Sequence, residues 1–132
     1  MIVGVGLDVC EVKRLRRAMA RSGFARRVFD DGEVRDCDRR VRRHLHYAAR
    51  FAAKEAYFKA LGTGWGAGVG WREVAVMSDG RRPPRLQVRG AAARRARSLG
   101  VTRSHLSMSH SGDYAVAIVV LEGSARARGR RR

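Results

Sequence analysis

The stretch that decides the fold is residues 50–64, RFAAKEAYFKALGTG. Each residue of an α-helix turns by about 100°, so Glu55 and Lys59 fall on one face of a helix. The apolar or small residues that share this face are Ala48, Phe51, Ala52, Phe58 and Gly62. A carboxylate in such surroundings loses hydration and requires a cation, a metal ion or a proton nearby. The pattern therefore predicts a helix that is apolar almost all round and carries a charged pair.

The helix is predicted to end in the turn Gly62, Thr63 and Gly64, where backbone amides can approach a ligand closely. A metal-binding carboxylate, a phosphate-binding ammonium and a glycine turn together suit phosphoryl transfer. Taken alone, the same residues are also explained by a surface ion pair at i, i+4 and a glycine stop signal. The two ends of the chain favour the functional interpretation.

The N-terminal segment is residues 2–14, IVGVGLDVCEVKR. Its first six residues are apolar and glycine-punctuated, which predicts a short buried strand with Asp8 where the strand ends. An aspartate in that place is also a common helix cap. The C-terminal segment is residues 106–120, LSMSHSGDYAVAIVV, in which two strand-like runs flank a polar turn around His110. An ordinary hairpin with an exposed histidine is the alternative for this segment.

The periodicity and the turn residues predict an α+β domain with an antiparallel sheet packed on helices. The predicted strands are 2–7, 71–78, 84–89, 104–110 and 114–121, and the predicted helices are 11–22, 31–38, 44–61 and 91–98. Asp30 with Glu33 three residues later predicts a capping box at the second helix. We expect one domain over residues 1–123 and a basic, disordered tail over residues 124–132.

The three motif segments together resemble the holo-acyl-carrier-protein synthase family, the small phosphopantetheinyl transferases. The resemblance includes Gly6, Asp8 and residues 11–15 at the start, and residues 50–64 in the centre. It closes with Ser107, Ser109, His110 and residues 114–117, and covers about residues 1–121 in order. Weaker matches are residues 27–30, 71–76 and 80–83.

The resemblance implies transfer of 4′-phosphopantetheine from coenzyme A to a serine of apo-acyl carrier protein, with release of adenosine 3′,5′-bisphosphate. It implies Asp8 and Glu55 as ligands of Mg²⁺ and Lys59 as the group that neutralises the pyrophosphate. The expected base for the carrier serine is Glu55, acting directly or through a metal-bound water, and water is the rival.

The resemblance also implies a coenzyme A contact for His110, with Ser109, Ser111 and Arg50 nearby and the turn 62–64 under the nucleotide. Asp113 either orients His110 or caps the turn. Because Arg50 lies about 140° from Glu55 around the helix, we expect it to point across a subunit boundary or towards a different phosphate.

Carrier docking is expected on the first helix, where Arg14, Arg17 and Arg21 recur at helical spacing. The resemblance implies Arg14 as the docking arginine, and complementary charge would speed encounter with an acidic carrier. A solvated basic face is the alternative for Arg17 and Arg21. The resemblance further implies a homotrimer with the active site between subunits.

The formal net charge is +17 over 132 residues, and only three of the 29 basic residues are lysines. Such an arginine excess can come from a GC-rich coding bias, yet it gives a strong positive field. That field attracts coenzyme A phosphates, an acidic carrier or nucleic acid alike. Because the arginines are not interleaved with aromatic residues and no nucleic-acid-binding motif is present, we expect no specific nucleic-acid partner.

The chain has no apolar run of about 20 residues and no secretory pattern at its start, so we expect a cytoplasmic protein without a membrane partner. Cys10 and Cys37 have neither metal-site spacing nor a disulfide framework, and we expect reduced thiols. Two alternatives to the leading function remain. One is a transferase dedicated to a polyketide or peptide synthase carrier, and the other is a non-catalytic basic binding protein, including a nucleic-acid-binding one.

Overall fold

The long central helix α4 (Arg43–Leu61) organises the domain, as the motif predicted. The computed structural model describes residues 1–63 and 69–124. The other elements are β1 (Ile2–Glu11), α1 (Val12–Met19), α2 (Phe24–Val28), α3 (Asp31–Asp38), a 3₁₀ turn (Trp71–Glu73), β2 (Val74–Met77), β3 (Arg85–Val88), α5 (Gly90–Ser98), β4 (Val101–Ser111) and β5 (Tyr114–Gly123). The α+β prediction is confirmed.

The strands form two antiparallel sheets. Strands β1, β5 and β4 form a three-stranded sheet in that order, so β1 and β4 are its edges. Strands β2 and β3 form a separate hairpin. Residue Leu7 of β1 pairs with Ile118 of β5, which in turn pairs with Ser107 of β4. This register fixes which side chains share each face of the sheet.

Helix α4 packs unusually close to β1, and two glycines make this possible. A Cβ atom on Gly6 would overlap the carbonyl oxygen of Ala56, and one on Gly4 would overlap that of Ala60. The glycine punctuation of the N-terminal strand is therefore required by the approach of the helix backbone. On the inner face of β5, the residues that pack in the core are Ala115, Ala117, Val119 and Leu121.

Several element boundaries differ from the prediction. The helix predicted over 11–22 ends at Met19, because the chain turns through Gly23 at φ +82° into the short helix α2, which was not predicted. The first three residues of the strand predicted over 71–78 form a 3₁₀ turn, in which the Glu73 carboxylate accepts from the Gly70 amide at 2.5 Å. Strand β1 continues to Glu11 rather than ending at residue 7.

The predicted capping box at α3 is present. Oδ1 of Asp30 accepts from the Glu33 amide at 2.8 Å, and Oε1 of Glu33 accepts from the Asp30 amide at 3.1 Å. Such reciprocal bonds satisfy two amides that the first helical turn leaves without partners. No helix among the residues described is long and apolar enough to cross a membrane.

Candidate active site

Asp8 and Lys59 meet where α4 crosses β1. Nζ of Lys59 donates to Oδ1 of Asp8 at 2.9 Å and to the carbonyl oxygen of Leu7 at 3.1 Å. Asp8 lies within β1, opposite Ala117 of β5, and not at the strand end that the sequence predicted. The strand ladder therefore holds its Cα rigidly, while the lysine side chain remains half exposed.

Glu55 lies one turn before Lys59 on the same helix and is half-buried. Burial raises the pKa of the Glu55 carboxyl above its usual value, the charge of Asp8 raises it further, and Lys59 opposes both. The two carboxylates thus act on each other electrostatically with one ammonium beside them. This arrangement disfavours two free negative charges and favours an additional cation.

A cleft of about 480 Å³ opens beside the two carboxylates, and Lys59 is not among the residues that line it. Asp8, Glu11, Glu55 and Arg14 line it together with further side chains from β1, α1, α2, α4 and β5. The apolar part of its wall consists of Val9, Leu15, Ala18, Phe24 and Phe51. The cleft therefore joins three acids and a cation to an apolar wall, a composition typical of ligand sites.

The two carboxylates fit a magnesium ion. Over residues 1–63 and 69–124, no group of three or more His, Cys, Asp or Glu side chains is arranged to hold a metal. Mg²⁺ does not need such a cage, since it is commonly held by one or two carboxylates plus phosphates and waters. Asp8 and Glu55 supply that number of hard oxygen donors beside a cleft that can admit a phosphate.

A second candidate subsite is a basic groove of about 590 Å³ around His110. Arg39, Arg40 and Arg42 line it, together with His46, His110 and one acid, Asp79. Burial lowers the pKa of His46, and the charges of Arg40 and Arg50 lower it further. Of the residues that line this groove, only His110 was predicted from the sequence, although the run RRVRRHLH at residues 39–46 is a signal for an anion site.

The side chains of Ser109, His110 and Ser111 do not all lie on one face of the three-stranded sheet. His110 pairs with the buried Ala115, so it shares the sheet face that α4 covers, whereas Ser109 and Ser111 share the opposite face. Asp113 lies 3.7 Å from Lys13 and its carbonyl oxygen accepts from the Val12 amide. These contacts tie the β4–β5 turn to the start of α1.

Arg50 is not brought to either cleft. Its side chain is only 2% exposed and pairs with the Asp36 carboxylate, while Nη1 donates to the carbonyl oxygen of His46 at 3.2 Å. The expectation of a phosphate-facing or boundary-crossing Arg50 is therefore corrected: the guanidinium is turned into the α3–α4 interface. Sequence periodicity gave its direction around the helix correctly but could not identify Asp36 as a partner, since the two residues belong to different elements.

The glycine turn is partly described. Gly62 ends α4 in the left-handed conformation at φ +76°, and the Thr63 amide donates to the carbonyl oxygen of Phe58 at 3.3 Å. Gly64, the third residue of the predicted turn, lies outside the described residues. The predicted stop at Gly62 agrees with the structure.

The three candidate docking arginines, Arg14, Arg17 and Arg21, are exposed. Arg14 and Arg17 lie on α1, and Arg14 lines the cleft itself. Arg21 lies two residues beyond the end of α1, where its amide donates to the carbonyl oxygen of Ala18 at 3.1 Å. Helical spacing therefore relates Arg14 to Arg17 but does not extend to Arg21.

Comparison with known proteins decides the family. A sequence model of the 4′-phosphopantetheinyl transferase superfamily matches residues 4–119. The chain belongs to this superfamily. The resemblance to holo-acyl-carrier-protein synthases drawn from the motifs is thereby confirmed.

Relatives and solved structures of this kind cover nearly the whole domain. A holo-[acyl-carrier-protein] synthase of Methylobacterium radiotolerans is 45% identical over 92% of this chain and 94% of the relative. The crystal structure of the synthase from Neisseria meningitidis superposes with a TM-score of 0.83 at 33% identity, covering 92% of this chain and 99% of that one. The synthase from Bacillus anthracis, solved in complex with coenzyme A (3′,5′-ADP), gives a TM-score of 0.77 at 37% identity, covering 94% and 99%.

Proposed function

We propose that this chain is a holo-acyl-carrier-protein synthase. It moves 4′-phosphopantetheine from coenzyme A to the hydroxyl of a carrier serine. The serine oxygen forms a bond to the β-phosphorus, the pyrophosphate bridge breaks, and adenosine 3′,5′-bisphosphate leaves with the electron pair while the serine proton goes to a base. The observation that carries the proposal is the group Asp8, Glu55 and Lys59, which joins two acids to a phosphate-neutralising cation beside an open cleft.

Asp8 and Glu55 would hold Mg²⁺, which when bound supplies positive charge to the pyrophosphate oxygens. The raised pKa of Glu55 supports this assignment, because a cation relieves the repulsion between the two carboxylates. Since the protein offers only two such ligands, the remaining positions fall to coenzyme A phosphates and water. Metal affinity should therefore rise when coenzyme A is bound.

Lys59 turns its ammonium from Asp8 towards the bridging phosphate and stabilises the charge on the leaving group. Its half-exposed side chain leaves room for that movement. We assign the serine proton to Glu55, with water as the rival base. Because a carboxylate that holds Mg²⁺ would be a weak base, water is a strong rival to Glu55 for this role.

The adenosine bisphosphate end of coenzyme A is assigned to the basic groove around His110. Its three arginines, Arg39, Arg40 and Arg42, outnumber the single acid Asp79, and arginine forks suit phosphate oxygens. Ser109, Ser111, Gly62, Thr63 and Gly64 remain proposed contacts of the same substrate. Arg50 acts indirectly, by fixing Asp36 and the α3–α4 interface behind the groove.

The two subsites lie on opposite sides of α4. The acidic cleft borders the edge strand β1, whereas His110 belongs to the other edge strand, β4. The two clefts share no lining residue. This separation supports the proposal that coenzyme A binds across a subunit boundary, with the nucleotide on one protomer and the pyrophosphate at Asp8 of the next.

The outer face of the three-stranded sheet supplies a surface for such an assembly. Val5, Leu7 and Val9 of β1 are 53–55% exposed, and Ile118 of β5 is 40% exposed. They form neighbouring rows with Val116 and Val120 in the observed register. A contiguous apolar sheet face of this kind indicates a protein interface, and we propose a homotrimer built on it.

The carrier protein is expected at the rim formed by Arg14, Arg17 and Arg21. Only Arg14 also lines the acidic cleft, so it is placed to guide the carrier serine towards the pyrophosphate. We infer that the enzyme acts in the cytoplasm, where coenzyme A and apo-carriers are made. A carrier from a polyketide or peptide synthase is the second candidate substrate, since nothing in the cleft distinguishes it from a fatty-acid carrier.

Subunit mixing tests the shared site. Glu55→Gln and His110→Ala homotrimers should each be nearly inactive, but trimers formed by refolding an equal mixture should regain about a quarter of wild-type turnover, because that fraction of boundaries carries both intact residues. Separately purified trimers combined without refolding are the control. No recovery after refolding would place both residues in one protomer's site.

A further inference from the structure

The most fully buried charges of the described chain lie away from both clefts. Lys54 of α4 and Glu33 of α3 form an ion pair with an Nζ–Oε1 distance of 2.6 Å, and both side chains are 0% exposed. Neither belongs to the active site described above. Lys54 is nevertheless the residue immediately before Glu55.

The ammonium of Lys54 uses all three of its protons. Besides Glu33, it donates to the carbonyl oxygens of Val74 at 2.5 Å and Trp71 at 3.2 Å. Those carbonyls belong to the 3₁₀ turn and to β2, so one nitrogen atom ties α4 to a backbone that is fixed by other contacts. A lysine has no further donor to offer, and a change in its position would break at least one of these bonds.

Glu33 is held just as completely. Its Oε2 accepts from the Val76 amide at 3.1 Å, and its Oε1 accepts from the Asp30 amide as part of the α3 capping box. Burial raises the pKa of Glu33 and lowers that of Lys54, while their mutual attraction opposes both shifts. The pair therefore connects α3, α4 and β2 through directional bonds.

Stability alone does not explain such a pair. A buried ion pair is often no more stabilising than apolar side chains of similar volume, because both charges lose their hydration. What it supplies is a defined geometry. In the adjoining contact of α4 with β1, the closest approaches are of Ala56 to Gly6 and of Ala60 to Gly4, where the glycines present no side chain to resist rotation of the helix.

We propose that Lys54, held by Glu33, is a positioning residue that sets the rotation of α4 and so places Glu55 and Lys59 opposite Asp8. A carboxylate roughly 6 Å from a helix axis moves by about 2 Å when the helix rotates by about 20°. Misplacement of a reacting group by about 1 Å can cost about 10²-fold in rate. The pair thus controls the reaction without touching the substrate, an inference that rests on the proposed transferase function.

The test compares two matched variants. Glu33→Gln retains the Oε1 acceptor for Lys54 but loses the bond from the Val76 amide, and the double variant Glu33→Gln/Lys54→Met loses the same bond together with every bond of the ammonium. We expect Glu33→Gln to stay within about threefold of wild-type kcat, and the double variant to fall at least about tenfold. KM for coenzyme A and the Kd of adenosine 3′,5′-bisphosphate should change less than threefold in both.

Binding of Mn²⁺ in the presence of coenzyme A, followed by electron paramagnetic resonance without a carrier, gives a readout independent of turnover. It should weaken in the double variant and not in Leu121→Val, a core variant of β5 that lowers the unfolding temperature but leaves the α3–α4 pair intact. The proposal is overturned if Glu33→Gln and the double variant lose kcat equally. It is also overturned if the loss of kcat follows the loss of unfolding temperature across Glu33→Gln, the double variant and Leu121→Val.

A second double variant, Glu33→Met/Lys54→Leu, replaces both charged side chains with apolar ones. It is used for the same measurements if the first double variant folds poorly. If neither pair unfolds cooperatively, the bonds serve stability and the positioning role is rejected. A wild-type protein that modifies no carrier would instead refute the proposed function. An active wild type with an equally active double variant would refute the positioning role alone.

Discussion

Lys59 and Asp8 form the contact on which the proposed chemistry depends: Nζ lies 2.9 Å from Oδ1, with the lysine side chain 54% exposed. Exposed ion pairs of this kind contribute little to stability, so the lysine can leave its partner at small cost. Glu55, one helical turn away, experiences both charges. The three side chains are thus arranged for a reaction that brings a further cation and a pyrophosphate among them.

The Glu55→Gln variant should be more stable than the wild type in metal-free solution at pH 7. The pKa of Glu55 is raised by folding, so the folded chain binds that proton more tightly than the unfolded chain. The sign follows: the ionised carboxylate destabilises the fold above its folded pKa, and this penalty disappears as pH falls below the unfolded value. Glutamine removes the penalty.

Thermal unfolding with a chelator at pH 7 and at pH 3.5 measures this effect. The unfolding temperature of Glu55→Gln should exceed that of the wild type at pH 7, and the difference should vanish at pH 3.5. Asp31→Asn, which removes an exposed carboxylate, is the control and should show no gain. A Glu55→Gln protein less stable than the wild type at pH 7 would mean that Lys59 outweighs burial and Asp8.

Reversing the charge of Arg14 should weaken binding of the carrier protein and leave binding of coenzyme A nearly unchanged. Arg14→Glu is expected to raise KM for apo-acyl carrier protein by about tenfold or more, because an acidic partner then meets like charge at the cleft. KM for coenzyme A should change little. Steady-state kinetics with each substrate varied in turn measure both constants, and Arg97→Glu on α5 is the matched control. Equal effects on the two substrates would place carrier docking elsewhere.

A charge on the outer sheet face should dissociate the trimer. Leu7→Glu and Ile118→Glu each place a carboxylate in the same row of that face, and light scattering should detect monomers in place of a trimer. Turnover should fall with the molar mass, since the two subsites separate. Met77→Glu, at an exposed apolar residue of the separate β2–β3 hairpin, should remain trimeric and active. A monomeric wild type would refute the assembly outright.

Local patterns predicted much of this fold. Residues Asp30 and Glu33 gave the capping box of α3, and the central motif placed α4 within one residue of its observed start. Both are properties of neighbouring residues, which the sequence displays directly. Helix α2 was missed because it has five residues and no periodicity to detect.

The site was predictable in part for the same reason. Glu55 and Lys59 share a helix face at any rotation, but their approach to Asp8 depends on β1, more than 40 residues earlier in the chain. The partners of Arg50 and Lys54, which are Asp36 and Glu33, depend on how α3 packs against α4. Helical periodicity tells which way a side chain points and not what it meets there.

The most direct measurement is the intact mass of apo-acyl carrier protein after incubation with this protein, coenzyme A and Mg²⁺. The account predicts a gain of one phosphopantetheine on the carrier, lost with a chelator and reduced by about 10²-fold or more in Glu55→Gln at unchanged folding. Fatty-acid, polyketide and peptidyl carriers tested in parallel identify the cognate partner. No mass gain on any of them, or full activity in Glu55→Gln, would contradict the central claim that Asp8, Glu55 and Lys59 form the transferase site.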